Sequence, residues 1–228
     1  MSKRLMVVVS LLAVAAMLPA VASASERSEA MERVRNSARV FQEIMQAPDK
    51  GIPQNLLQSA KCVAIIPGDL KFAFVLGGQY GRGIAECRTT HGWSAPMFIA
   101  VEGGSIGYQA GGSSTDLVLL FMNEHALHHL LNDEFKLGAG AAVAAGPVGR
   151  DATAATDISM RAEILSYSRS HGIFAGVDLS GTVVKSDHSA DRAIYGPGVT
   201  RQQIVSGQVS MPTGDRPLAA ELKTYSGS

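Results

Sequence analysis

Between Gly68 and Gly198 the chain carries 20 of its 24 glycines, interleaved with apolar runs of four or five residues. Val63–Ile66, Phe72–Leu76, Met97–Val101 and Leu117–Phe121 are strand-length, and the glycines between them interrupt any helical continuation. The intervals are too short for helical crossovers, so antiparallel neighbours are expected. No triplet period accompanies the glycines, which excludes a collagen. With 228 residues, 46% hydrophobic and 18% charged, the chain can bury a real core and is no solvated tail. No linker rich in proline, serine or charge divides it. The reading is one α+β domain with a glycine-rich antiparallel sheet or barrel-like core, an N-terminal amphipathic helix and short C-terminal helices.

The first 24 residues read as a secretory signal peptide: Lys3 and Arg4, an apolar run from Leu5 to Leu18, then Pro19 and Ala22-Ser23-Ala24. Cleavage there leaves residues 25–228 as the domain. The run is short for a membrane span, and a retained anchor is the lesser alternative. Losing Lys3 and Arg4 takes the basic count from 20 to 18 against 20 acidic side chains, so no global positive field exists to hold nucleic acid. Export places the protein in the periplasm or outside the cell. In such a compartment Cys62 and Cys87, with 24 residues between them, form a candidate disulfide. Closing that loop would contribute roughly 3 kcal/mol, and two buried thiols are the alternative.

Met31, Val34, Ala38, Phe41 and Met45 recur at steps of three and four, which predicts a helix over Glu26–Ala47 ended by Pro48. Its other face carries Glu26, Arg27, Glu29, Glu32, Arg33, Arg35, Arg39 and Glu43, a balanced set that favours packing on a globular body over docking on a membrane. Pro53–Ala60, His125–Leu131, Gln202–Ser206 and Leu218–Tyr225 are further helix segments. Glu163–Tyr167 and Ile173–Val184 are further strands.

Several segments invite chemical readings. Gly103-Gly104-Ser105-Ile106-Gly107 matches the G-x-S-x-G elbow of serine hydrolases, but the residues after Ser105 are poor helix formers, and a hydrolase using Ser105 is a distant alternative. His125, His128 and His129 could share one helix face, yet the H-E-x-x-H order is absent. They read as a polar face, with no metal and no other cofactor expected. Gly77–Gly83 lacks the lysine and helix start of a phosphate loop and reads as a structural bend. Tyr167–Gly176 packs hydroxyls, Arg169 and His171, a set that could hold a phosphate head group or satisfy a turn. Asp116, Asp157 and Asp178 form no paired-carboxylate spacing that marks an acid and a base.

Seven blocks occur in order: Cys62–Pro67, Gly77–Gly83, Trp93–Pro96, Gly104–Gln109, Thr115–Leu120, Ala145–Arg150 and Tyr167–Gly176. Together they resemble the SYLF domain family, also described as the Ysc-type actin-binding module, over about Ala30 to Tyr225. The resemblance implies a non-enzymatic lipid-binding domain, some of whose relatives bind phosphoinositide membranes or bundle actin filaments. It supplies no catalytic residues. The resulting expectation is an exported protein contacting phospholipid head groups or an anionic membrane surface through Lys71, Arg82, Arg150 and Arg169. The alternative is an envelope scaffold that binds a protein partner through a sheet edge, with actin a partner by family analogy only.

Overall fold

A computed structural model describes residues 3–47, 51–73, 77–105, 111–148, 162–170 and 173–226. Ten strands dominate: β1 (Cys62–Ala73), β2 (Gly77–Thr89), β3 (Gly92–Trp93), β4 (Met97–Ser105), β5 (Gly111–Phe121), β6 (Glu134–Lys136), β7 (Val143–Ala145), β8 (Ile164–Ser170), β9 (Ile173–Gly176) and β10 (Val183–Ser186). The helices are α1 (Lys3–Met45), α2 (Gln54–Ser59), α3 (Glu124–Leu131), α4 (His188–Tyr195), α5 (Arg201–Val205) and α6 (Arg216–Ser226). The main sheet runs β6-β10-β4-β2-β1-β5-β8-β7, with β3 on β2 and β9 on β8. Its pairs are antiparallel apart from β7 with β8.

The sheet curls into a half-barrel, and its bend is visible in β1. Between Ile66 and Asp69 the register against β5 slips by one residue, and Gly68 there adopts φ +61° and donates its N–H to Asp116. Such a bulge bends a strand and increases its twist. Opposite the bulge, a Cβ on Gly83 would lie 2.2 Å from the Ile65 carbonyl oxygen, so the close approach of β1 to β2 depends on bare backbone. The two outer strands, β6 and β7, are consecutive in sequence. Their connection makes a Leu137–Ala141 bridge and feeds both residues into the core, which draws the sheet's edges together.

Alternate residues of each strand feed two apolar clusters. On one face Val63, Ile65, Ile84, Phe98, Val118, Leu120 and Tyr167 meet Val34, Phe41 and Ile44 of α1 and Leu218 and Leu222 of α6. The other face lies inside the curl, where Ile66, Met97, Ile99, Leu117, Leu119 and Phe121 meet Leu130 of α3, Phe135, Val184 and Ile204. A sheet covered on both faces explains why the apolar runs are continuous and do not alternate with polar residues.

Several sequence expectations are refined. The expected first helix is the C-terminal half of a longer α1 that begins at Lys3. Its buried stripe is Ala30, Val34, Ser37, Val40, Phe41 and Ile44, with Met31, Ala38 and Met45 on its flank. Arg33, assigned to the polar face, is buried. Gly77–Gly83 is regular strand and not a bend. The runs Val63–Ile66 and Phe72–Leu76 fall largely in one continuous strand, β1, with residues 74–76 outside the described set. Ile173–Val184 divides into β9 and β10 around a turn at Ser180-Gly181. Cys62 and Cys87 face each other across β1 and β2 and form a disulfide.

Candidate functional site

The four central strands β4, β2, β1 and β5 extend together at one end of the sheet, and most of the paired glycines lie there. Successive rows across them read Glu102–Tyr80–Leu70–Ser114, Gly103–Gln79–Lys71–Ser113, Gly104–Gly78–Phe72–Gly112 and Ser105–Gly77–Ala73–Gly111. Each glycine removes a side chain from a sheet face, and the last two rows hold five of the six glycines in these rows. The connections that leave this end read Phe74-Val75-Leu76 and Ile106-Gly107-Tyr108-Gln109-Ala110 in sequence. Two large hydrophobic side chains are exposed among the described residues, Tyr80 at 45% and Ile173 at 71%. Tyr80 lies in the first of these rows. Ile173 pairs with Ser170, one residue beyond the Asp116–Arg169 row toward the same end.

Of the four expected head-group residues, Lys71 occupies the second row, and Arg150 lies outside the described residues. Arg82 and Arg169 are not brought together. Arg82 donates to Asp187 at 2.7 Å and lies 3.7 Å from Glu29, near the start of the docked part of α1. Arg169 donates to Asp116 at 2.7 Å and also pairs with Glu43, near the end of α1. Glu29 and Glu43 are about 21 Å apart along the helix. The two arginines therefore tie opposite ends of α1 to the sheet, and their charge is already neutralised by carboxylates.

Asp187 is the centre of the first tie. It also accepts from Arg33 at 2.8 Å, whose guanidinium stacks over Phe98, and it caps α4 by accepting from the Ala190 N–H. Burial alone would raise its pKa. The hydrogen bonds from Arg33, Arg82, Ser189 and Ala190 instead hold it far below the ordinary carboxylate range. A second buried pair, Asp191 with Arg201 at 3.0 Å, joins α4 to α5, with the Asp191 carboxylate accepting from the Phe98 N–H. The sequence reading missed Asp187, Asp191 and Arg201. The available signal was a capping pattern, Asp187 three residues before Ala190 and Thr200 three before Gln203.

Ser105 ends β4, paired with Gly77, and β5 begins at Gly111. The next described element after β4 is another strand, whereas the elbow of a hydrolase needs a strand entering a helix. Asp116 serves Arg169 and the Gly68 N–H, Asp178 accepts from Ser180 in its own turn, and Asp157 lies outside the described residues. His125 and His129 share a face of α3 beside Glu163, with His125 Nδ1 at 2.5 Å from Glu163 Oε1. His128 is exposed.

Sheet and helices thus define a half-barrel module whose four central strands run out into glycine-rich rows at one end. The family model described as Ysc84, Las17-binding protein actin regulator, matches residues 102–225, and the chain belongs to that family. It is 37% identical over 182 residues to Protein YSC84 of Saccharomyces cerevisiae, covering 77% of this chain and 38% of that protein. Over 182 residues it is 36% identical to LAS seventeen-binding protein 3 of the same organism, covering 77% of this chain and 39% of that one. SH3 domain-containing YSC84-like protein 1 of Xenopus laevis is 29% identical over 199 residues, or 84% of this chain and 59% of its own length. The chain therefore spans between about two fifths and three fifths of these relatives.

Proposed function

We propose that the chain is a non-enzymatic, exported lipid-associated module that meets a phospholipid surface with the glycine-rich end of β4, β2, β1 and β5. The observation that carries this is the exposure of the large apolar side chains of Ile173 and Tyr80 toward that end. Tyr80 and Ile173 would lie in the interfacial region, with Lys71, one row nearer the end than Tyr80, among the anionic head groups. Arg82 and Arg169 hold α1 in place and are not part of the contact. The Cys62–Cys87 disulfide supports a periplasmic or extracellular location, because thiols are kept reduced in the cytosol. The names of the relatives favour a protein partner as the second reading. A sheet edge suits that role poorly here: β6 and β7 have three residues each and β9 has four.

Co-sedimentation with vesicles of anionic phospholipid at low salt tests the proposal. Binding is expected, with Ile173→Glu combined with Lys71→Glu weakening it at least tenfold and Arg169→Gln leaving it within about twofold once the protein is shown to be folded. No binding at low salt, or binding indifferent to the double substitution, would sink the lipid reading.

A further inference from the structure

The geometry points to a divalent transition-metal site of the zinc type, made by His125, His129 and Glu163 at the seam of the half-barrel. Two histidines one turn apart on α3 present their rings 4.7 Å between centroids, and Glu163, just before β8, turns one carboxylate oxygen toward each. One ligand atom from each of the three residues lies within 4.8 Å of the others. Nitrogen and oxygen donors at bond lengths of about 2.0–2.2 Å around tetrahedral zinc stand about 3.3 Å from one another. Small ring rotations that open the 2.5 Å contact of His125 and close the 3.9 Å separation of His129 reach that spacing.

Further features suit a ligand set better than a polar face. His129 Nε2 is buried and makes no hydrogen bond, although it faces the carboxylate. Its ring is stacked on Phe135 at 5.3 Å, which fixes the plane in which a lone pair would point. The Ala142 N–H donates to Glu163 Oε2 at 3.0 Å, the kind of outer hydrogen bond that orients a ligating carboxylate. The His125 side chain is 67% exposed, so the fourth position opens to water or to an exchangeable ligand. The sequence motif of two histidines alone could not show this site, because its third ligand lies on a different element.

The ion would link α3 to the start of β8 and to the connection between β6 and β7, where the edges of the sheet meet. Zinc bound to the folded chain alone must raise its melting temperature. Titration of the tag-free full chain with Co2+ is expected to give the visible absorption of a tetrahedral nitrogen–oxygen site at one equivalent, displaced by Zn2+. Zn2+ should raise the melting temperature by a few degrees over the EDTA-treated protein. His125→Ala, at an exposed position, and Glu163→Gln should each weaken binding at least tenfold, whereas His128→Ala should leave it unchanged. Far-UV circular dichroism in EDTA checks that each variant folds. Absence of both the cobalt spectrum and the thermal shift, or equal binding by the folded His125→Ala protein, overturns the assignment.

Discussion

Replacing Asp187 by alanine tests whether the link between α1, β2 and α4 holds the fold. Three contributions are lost together. The cap on α4 contributes about 1 kcal/mol. The pair with Arg33, whose partners are 11% and 9% exposed, contributes about 2 kcal/mol, since its loss strands a buried cation. Arg82 remains a third exposed and adds about 0.5 kcal/mol. Asp187→Ala should therefore destabilise by about 3 to 4 kcal/mol, moving a urea midpoint followed by circular dichroism down by about 1.5 M. Asp187→Asn keeps a capping oxygen and removes the charge, so its cost should fall near 2 kcal/mol. The pH dependence follows from the depressed carboxylate. The folded pKa lies below the unfolded value of about 3.9, so the gap between wild type and alanine variant is fully present above that value. It should shrink as pH falls through the folded pKa. An alanine variant within about 0.5 kcal/mol of wild type at pH 7, or a gap that widens on acidification, would refute the reasoning.

Reducing the Cys62–Cys87 bond should cost roughly 3 kcal/mol, read as a lower urea midpoint in dithiothreitol. Gly83→Ala forces a methyl against the Ile65 carbonyl at 2.2 Å and should cost several kcal/mol or prevent folding, visible as loss of the cooperative thermal transition. Tyr167 is fully buried and its hydroxyl makes no hydrogen bond, while burial pushes its ionisation far above the ordinary phenol value. Tyr167→Phe should accordingly stabilise by about 1 kcal/mol, raising the melting temperature by a few degrees. A fall in melting temperature would show that the hydroxyl has a partner in solution.

The fold was legible where burial is continuous. The apolar runs of β1, β4 and β5 announce themselves because both faces of the sheet are covered, and seven ordered blocks carry the family. The curl was not legible, because it depends on a bulge at Gly68 and on the way the β6–β7 connection draws the edges together. The role of the arginines was hidden for a related reason. Arg82 and Asp187 stand 105 residues apart, and Arg169 and Glu43 126 apart, so no local pattern shows that the charges are already paired. Glu163 escaped notice likewise, being 38 residues from His125. Helix α4 was missed because its eight residues, His188–Tyr195, are short and weakly apolar, and tertiary packing rather than local propensity holds them.

The position of α1 has a consequence for the order of events. This helix is made first, yet its buried face meets α4 and α6, which are made last, and Arg27 donates to the carbonyls of Ala193 and Ile194 across 166 residues or more. Until the final quarter of the chain is available, α1 has only part of its cover, and the loops that must close are long. Folding should therefore be slow for a chain of this size and complete only after α4 and α6 have been made. A chain released before Asp187 would carry Val34, Phe41 and Ile44 without a full lid, a sticky surface for chaperones.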